Sequence, residues 1–577
     1  MDSRRFLLAV ILMIAVMVVT NVLLPPPPPL ETGAVTDTAT VSAQPQPPGA
    51  TPTDTQAGLA RPPAGIAGDP SAAPVPADTQ AAADSAGVTA QLPDDTISVR
   101  SPIYDFQIAT RDASLAGARL LEFSTLHEGR EDEPVQLSPA DVPGLFSYRL
   151  RIGNRDIPFS SLGFTAVPDS GLRMDGDAGP QTLQLTQQSG DDFGVDVAYT
   201  FDPDRYLIDV RMVVTGGNGQ TPNLFITMPR SLAMNEENVA DDERALAYVV
   251  NNEREGINSM RLRSIDTERV ESGPLLWAAV KNKYFVTAAL QHPQSPIGFG
   301  GLTATPLPQE NAAHMEVTLL PAADGAFAFR LFIGPQEPQR LAELGNNFQD
   351  VNPFGWRAFR PILRPLGHGI QWALYGMHDL LGIGYGWVLV LFGVIIRLLL
   401  WPLNAKAMRS QMKNMEIQPK LKEIQARYKS EPEKLQKEML RLYREEGFNP
   451  MGGCLPMLIP LPILITLFFV LQSTIAFRGV SFLWLPDLSR ADPLYILPIL
   501  LGLSMYAMQW LSSRSMTEVN PQMKFMLYAM PAVMTVIFLN FASGLNLYYT
   551  AMNFASIPQQ VQIMRERQRY NAARAAK

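Results

Sequence analysis

Apolar and polar positions follow three different rhythms along the chain. Phe6 to Leu24 is one long apolar run. Between 96 and 345, short runs alternate with a period of two, as in TLQLTQQ (182–188), VDVAYTF (195–201), YLIDVRMVV (206–214), MEVTLL (315–320) and AFRLFIG (328–334). Half-buried strands give that rhythm, and turn clusters such as TGGNGQ and DPDR separate them, so a large antiparallel β-sandwich is expected. Beyond residue 350, long apolar runs return at 384–403, 453–476, 493–511, 523–541 and 545–563. Each approaches the roughly 20 residues that cross a bilayer as a helix. Ahead of them, 354–381 mixes Trp, Leu and Ile with Arg357, Arg360 and Arg364. That mixture predicts an amphipathic helix lying in the membrane interface. A surface helix packed on the sandwich is the alternative.

The ends and connectors complete the division. Residues 1–24 carry Arg4 and Arg5 before their apolar run, as an uncleaved anchor with a cytoplasmic N-terminus does. A cleaved signal peptide is the rival, but the run is too long for one and no A-x-A-like site precedes the prolines. Residues 25–95, rich in Pro, Ala, Thr and Asp, read as a disordered linker that lacks the apolar surface to fold. In the connector 404–450, Ile417, Leu421, Ile424 and Tyr428 recur at helical spacing. Ser430 and Glu433 then form a capping-box pattern ahead of Leu435, Met439 and Leu442, and Gly447 and Pro450 end the segment. Two short antiparallel helices are expected there, as a docking hairpin or as a solvated basic connector.

Charge turns these segments into a topology. The chain of 577 residues has a net charge of −8, yet the connector 404–450 alone holds eleven Lys and Arg. By the positive-inside rule it is cytoplasmic, as are 512–522 and the basic tail 564–577. Six transmembrane helices with both termini inside satisfy every loop. The expected fold is a polytopic α-helical membrane protein, with five core helices after the anchor and a large all-β domain outside. The single cysteine, Cys454, excludes internal disulfides, and the five histidines have no metal-ligand spacing. No metal, cofactor, nucleophile elbow, phosphate loop or paired carboxylate is predicted, so an enzyme is the least supported class.

The candidate chemistry lies in WVLVLFGVIIRLLLWPLN (387–404), where Arg397 sits among apolar residues. A charge inside a span costs at least ~2.5–3.5 kcal/mol and normally marks a function. Snorkelling toward the cytoplasmic interface is the bland alternative. No other expected span holds an acidic residue, so Arg397 has no ion-pair partner among them. Asn546, Tyr549, Asn553, Ser556 and Gln560 form a polar stripe on the last span, joined by Ser504 and Gln509 from 493–511. Interhelical hydrogen bonding explains an isolated stripe. Beside an unpaired arginine, the same stripe points to a hydrated cavity. Met523, Met526, Met530 and Met534 share a helical face and Met408, Met412 and Met415 cluster nearby, which suits either packing or an adaptable apolar surface.

Several long segments resemble the YidC/Oxa/Alb family of membrane protein insertases, in its Gram-negative form with a large periplasmic domain. They are NPMGGCLPMLIPLPILITLFFVL (449–471), DLSRADPLYILPILLGLSMYAMQ (487–509), MPAVMTVIFLNFASGLNLYY (530–549), FGVIIRLLLWPLNAKAM (392–408), with its arginine before a W-P-L turn, and WAAVKNKYF (277–285). The resemblance implies an inner-membrane insertase and chaperone with a periplasmic β-supersandwich and a five-span core. That core encloses a hydrophilic groove open to cytoplasm and lipid. Arg397 would be the groove arginine, with Gln509, Asn546, Tyr549 and Asn553 lining the groove beside it. Leu458, Leu461, Leu464 and Tyr548 would form an apolar substrate slide. Implied partners are nascent membrane proteins, the lipid bilayer, the Sec translocon and the ribosome, with no other nucleic acid. The family commonly has a polar residue near position 460, whereas this chain has Pro456, Pro460 and Pro462. A solute or anion transporter and a scaffold for the outer domain are the rival classes, although no internal repeat favours a transporter.

Overall fold

The structure, a computed structural model, describes residues 95–575 apart from 132, 140–143, 189–192, 217–218, 296, 308–311, 356–358, 430, 446–460 and 514–520. The expected anchor (1–24), almost all of the linker, and Leu458 lie outside the described residues.

Among the described residues, 96–335 form two antiparallel-rich sheets, one of 5 strands and one of 14. Alternation places one face of each strand inward. In Phe193–Phe201, Val195, Val197, Tyr199 and Phe201 are buried while the residues between them are partly exposed. The small sheet contributes Tyr104 and Phe106, stacked with centroids 4.1 Å apart, and these meet Tyr206, just before a large-sheet strand, and Phe201 of the large sheet at 6.4 and 6.5 Å. One continuous apolar core results. Strands without strong alternation, such as Arg155–Pro158 and Leu172–Arg173, pair at sheet margins.

The helices are α1 (Val239–Ala245), α2 (Pro338–Glu343), α3 (Arg360–Leu381), α4 (Tyr385–Arg427), α5 (Pro432–Glu445), α6 (Leu461–Ser473), α7 (Ile496–Ser513), α8 (Pro521–Phe538) and α9 (Ser543–Ala575). Among the described residues one stretch, Tyr385–Ala405, is long and apolar enough to cross a membrane unaided; Leu461–Ser473, Ile496–Leu511 and Tyr528–Phe538 are shorter apolar helices. Two boundaries differ from expectation. The helix expected to stop at 403 continues unbroken to Arg427, so the first arm of the expected hairpin is not a separate short helix. Pro402 removes a single N–H and does not end the helix, contrary to the expected turn. Likewise α9 runs past 563 through the basic tail to Ala575. A bilayer boundary changes the preferred side chains, but it does not require the helix to stop.

WAAVKNKYF (277–285) ties the β domain to the segment that leads into α3. Trp277 Nε1 donates to Asn346 O at 2.9 Å, and its ring meets Phe348 edge-on at 5.1 Å. Asn282 Oδ1 accepts from the Tyr284 and Phe285 amides at 3.2 and 2.8 Å, shaping a turn that Gln336 braces from the other side. From there Asp350, its side chain only 4% exposed, pairs with Arg364 and lies 3.0 Å from His368 Nε2. These contacts fix the start of α3. That helix buries Leu363, Ile370 and Leu374 and leaves Ile362, Trp372 and Leu380 exposed.

Candidate functional site

The site is built where α4 and α9 touch. Gly393 permits the approach, since a Cβ there would fall 2.9 Å from Tyr548 O. One turn later Arg397 is half-buried, and its Nη2 donates to Gln559 Oε1 at 2.6 Å. Gln559 is in turn held by donating Nε2 to Trp401 O at 3.1 Å. Among the described residues no carboxylate stands within ion-pair distance of Arg397, so its charge is met by an amide dipole and is not neutralised.

Other predicted residues gather along the same helix. Asn553 Nδ2 donates to Ser504 Oγ at 3.0 Å, joining α9 to α7. Asn546 Nδ2 donates to Phe538 O at 3.1 Å. Tyr549 is half-buried, its ring stacked on Phe538 at 5.7 Å, and Gln509 is half-buried on α7. Among the described residues of α4 and α9, four buried polar atoms lack a hydrogen-bond partner: Arg397 Nε, Asn404 Nδ2, Asn546 Oδ1 and Thr550 Oγ1. Each such atom in a dry interior costs about 1–3 kcal/mol. The arrangement therefore favours polar company: water, or a polar stretch of another chain.

The described slide residues differ in exposure. Leu461 and Leu464 are half-exposed on α6, whereas Tyr548 is buried with its ring 5.7 Å from that of Phe392. Sequence reasoning missed Gln559 and chose its neighbour Gln560, which is only partly buried. It also missed Asn404, although a seven-residue step from Arg397 puts both on one helix face.

Two family descriptions match the chain: "YidC periplasmic domain" over residues 96–367 and "60Kd inner membrane protein" over 376–571. A membrane protein insertase YidC from Ralstonia nicotianae is 31% identical over 518 residues, covering 88% of this chain and 90% of the relative. The chain belongs to the YidC family of membrane protein insertases. A YidC from Cupriavidus necator is 30% identical over 536 residues (89% and 90% covered), and one from Chlorobaculum parvum 29% over 528 (85% and 86%). A crystal structure of an active YidC insertase with its first transmembrane domain resolved aligns at 18% identity and a TM-score of 0.34, covering 81% of this chain and 92% of that one. In YidC terms, the β sheets are the periplasmic domain, and the polar contacts above lie in the helical inner-membrane part.

Proposed function

We propose that this insertase works through a hydrated, positively charged groove between α4, α7 and α9, open to the cytoplasm and to lipid. The observation that carries the reading is Arg397: half-buried in an apolar span, bonded to the neutral amide of Gln559, and with no carboxylate beside it among the described residues. An uncompensated cation attracts the acidic, translocated part of a client. The orphaned polar atoms of Arg397, Asn404, Asn546 and Thr550 support a wet interior. Water reaching partway into the bilayer shortens the apolar barrier that a polar tail must cross. The client's apolar segment leaves past Leu461 and Leu464 into lipid, a step that is itself favourable.

The same reading has six spans, an N-terminal anchor and linker, both termini in the cytoplasm, and the sheets in the periplasm. The cytoplasmic end of α4, α5 and the basic end of α9 are offered to ribosomes carrying clients, and the Sec translocon works beside the insertase on larger ones.

The test is insertion of a small single-span client with an acidic translocated tail into liposomes holding the purified protein, wild type and Arg397→Ala side by side. Insertion by the wild type that falls in the variant is expected. Equal insertion by both would remove the charge mechanism and leave hydration and the slide. Insertion no better than with empty liposomes would sink autonomous insertion.

A further inference from the structure

The loop 478–495 joins α6 to α7 beneath the β domain. Within it, Phe482 and Leu485 exchange both backbone hydrogen bonds at 2.9 Å, closing a two-residue turn tipped by Leu483 and Trp484. Leu483 has φ +54°, in the left-handed region. Glycine or asparagine is usual in such turns, and a bulky side chain is strained. Yet Leu483 is 70% exposed. Tyr495, at the loop's other corner, repeats the pattern with φ +55° and exposed side chains at both Leu494 and Tyr495. Trp484 is partly held by the chain, 36% exposed with its Nε1 donating to Asp492 Oδ2 at 3.4 Å, but the exposed Leu483, Leu494 and Tyr495 have no such hold that asks for large apolar groups. Nearby charges are turned inward. Asp492 is fully buried and accepts from the Leu494 and Leu497 amides at 3.0 and 2.7 Å, and Asp487 is buried and accepts from the Ser489 amide at 2.7 Å.

The level of the turn says what covers it. The Phe482 ring packs on the outer end of α4, edge-on to Trp387 at 5.3 Å, and so close to Gly386 that a Cβ there would overlap it. Trp387 is exposed and lies in the first turn of Tyr385–Ala405, the stretch able to cross a bilayer. We propose that Leu483, Trp484, Leu494 and Tyr495 are lipid anchors, seated at the boundary of headgroups and acyl chains in the outer leaflet. Aromatic residues favour that boundary. The inference rests on α4 spanning the membrane. Because Arg478 of the same loop pairs with Glu236 of the β domain at 2.7 Å, the anchors set the height of that domain above the bilayer.

The test uses the full chain with Cys454→Ser, reconstituted in liposomes and carrying one environment-sensitive fluorophore at Leu483→Cys or Tyr495→Cys. Comparison sites are Leu399→Cys on the exposed apolar face of α4 and Ser161→Cys on the exposed β surface. Phospholipids spin-labelled near the carbonyl should quench the two loop sites about threefold more than the Ser161 site, as expected for groups at the boundary. Aqueous iodide should quench them less. Iodide quenching equal to that at Ser161 overturns the proposal, as does shielding from both quenchers, which would put protein there. If lipid fails to quench the Leu399 site as well, the spanning reading of α4 has failed and the anchors fall with it.

Discussion

At the scale of single residues, the proposed groove makes Gln559 the group that sets how much of Arg397's charge a client would feel. A neutral amide 2.6 Å from the guanidinium orients it without cancelling it. Gln559→Glu keeps the size and reach but supplies the missing carboxylate. The pair should then neutralise itself and cost acidic clients about tenfold in insertion, equivalent to ~1.4 kcal/mol. A client with a neutral tail should be nearly unaffected. Insertion of the two clients in parallel checks this; an equal fall for both would mean that Gln559 only supports the helix packing. Arg397 was visible in the sequence because charge in an apolar run is conspicuous. Its partner was not. Gln559 and Gln560 are adjacent, and Pro558 just before them obscures the helical phase that would separate them.

At the scale of elements, the contact between α4 and α9 holds the site together, and a glycine sets their distance. A Cβ on Gly393 would meet Tyr548 O at 2.9 Å and Met552 N at 3.3 Å, both backbone atoms that cannot swing aside. Gly393→Val should therefore push the helices apart at a cost of about 1–3 kcal/mol. Because the Arg397–Gln559 contact lies one turn beyond, insertion of acidic and neutral clients should fall together. A lower melting temperature in detergent and loss of both insertions is the expected pair of results. The sequence located apolar helices such as Tyr385–Ala405 by their unbroken hydropathy, and the strands because a half-buried sheet demands alternation. It did not locate helix ends. The 43 residues of α4 extend roughly 64 Å at 1.5 Å each, about twice the hydrocarbon core. Its polar continuation keeps helical geometry after the hydropathy signal has gone.

At the scale of the whole molecule, a buried ion pair joins the β domain to the helical core. Arg478 Nε meets Glu236 Oε1 at 2.7 Å with side chains 5% and 7% exposed, while Nη1 donates to Ser124 O at 2.8 Å. The Arg478 guanidinium also lies 5.6 Å from the Phe285 ring centre, and Arg490 pairs with Glu237 beside it. Removing one partner of such a pair strands the other, at about 3–5 kcal/mol, whereas removing both costs less. Arg478→Met and Glu236→Met should each make the junction between sheets and helices more open to protease. The double replacement should restore part of the protection. A pH dependence belongs to the same junction. Burial, with the Glu236 charge close by, raises the Asp242 carboxyl to about 6. An acid raised in the folded state holds its proton between about pH 4 and 6 while the unfolded chain has lost it. The stability it contributes is therefore present at pH 4 and is lost as pH rises through 6, by up to about 3 kcal/mol. Melting of the full chain in detergent across that range should show a fall attributable to Asp242 as pH rises. The fall should be smaller in Glu236→Gln, because removing the neighbouring charge lowers the Asp242 pKa toward its ordinary value. If the slope is unchanged in that variant, Glu236 does not act on Asp242, and burial alone raises its carboxyl.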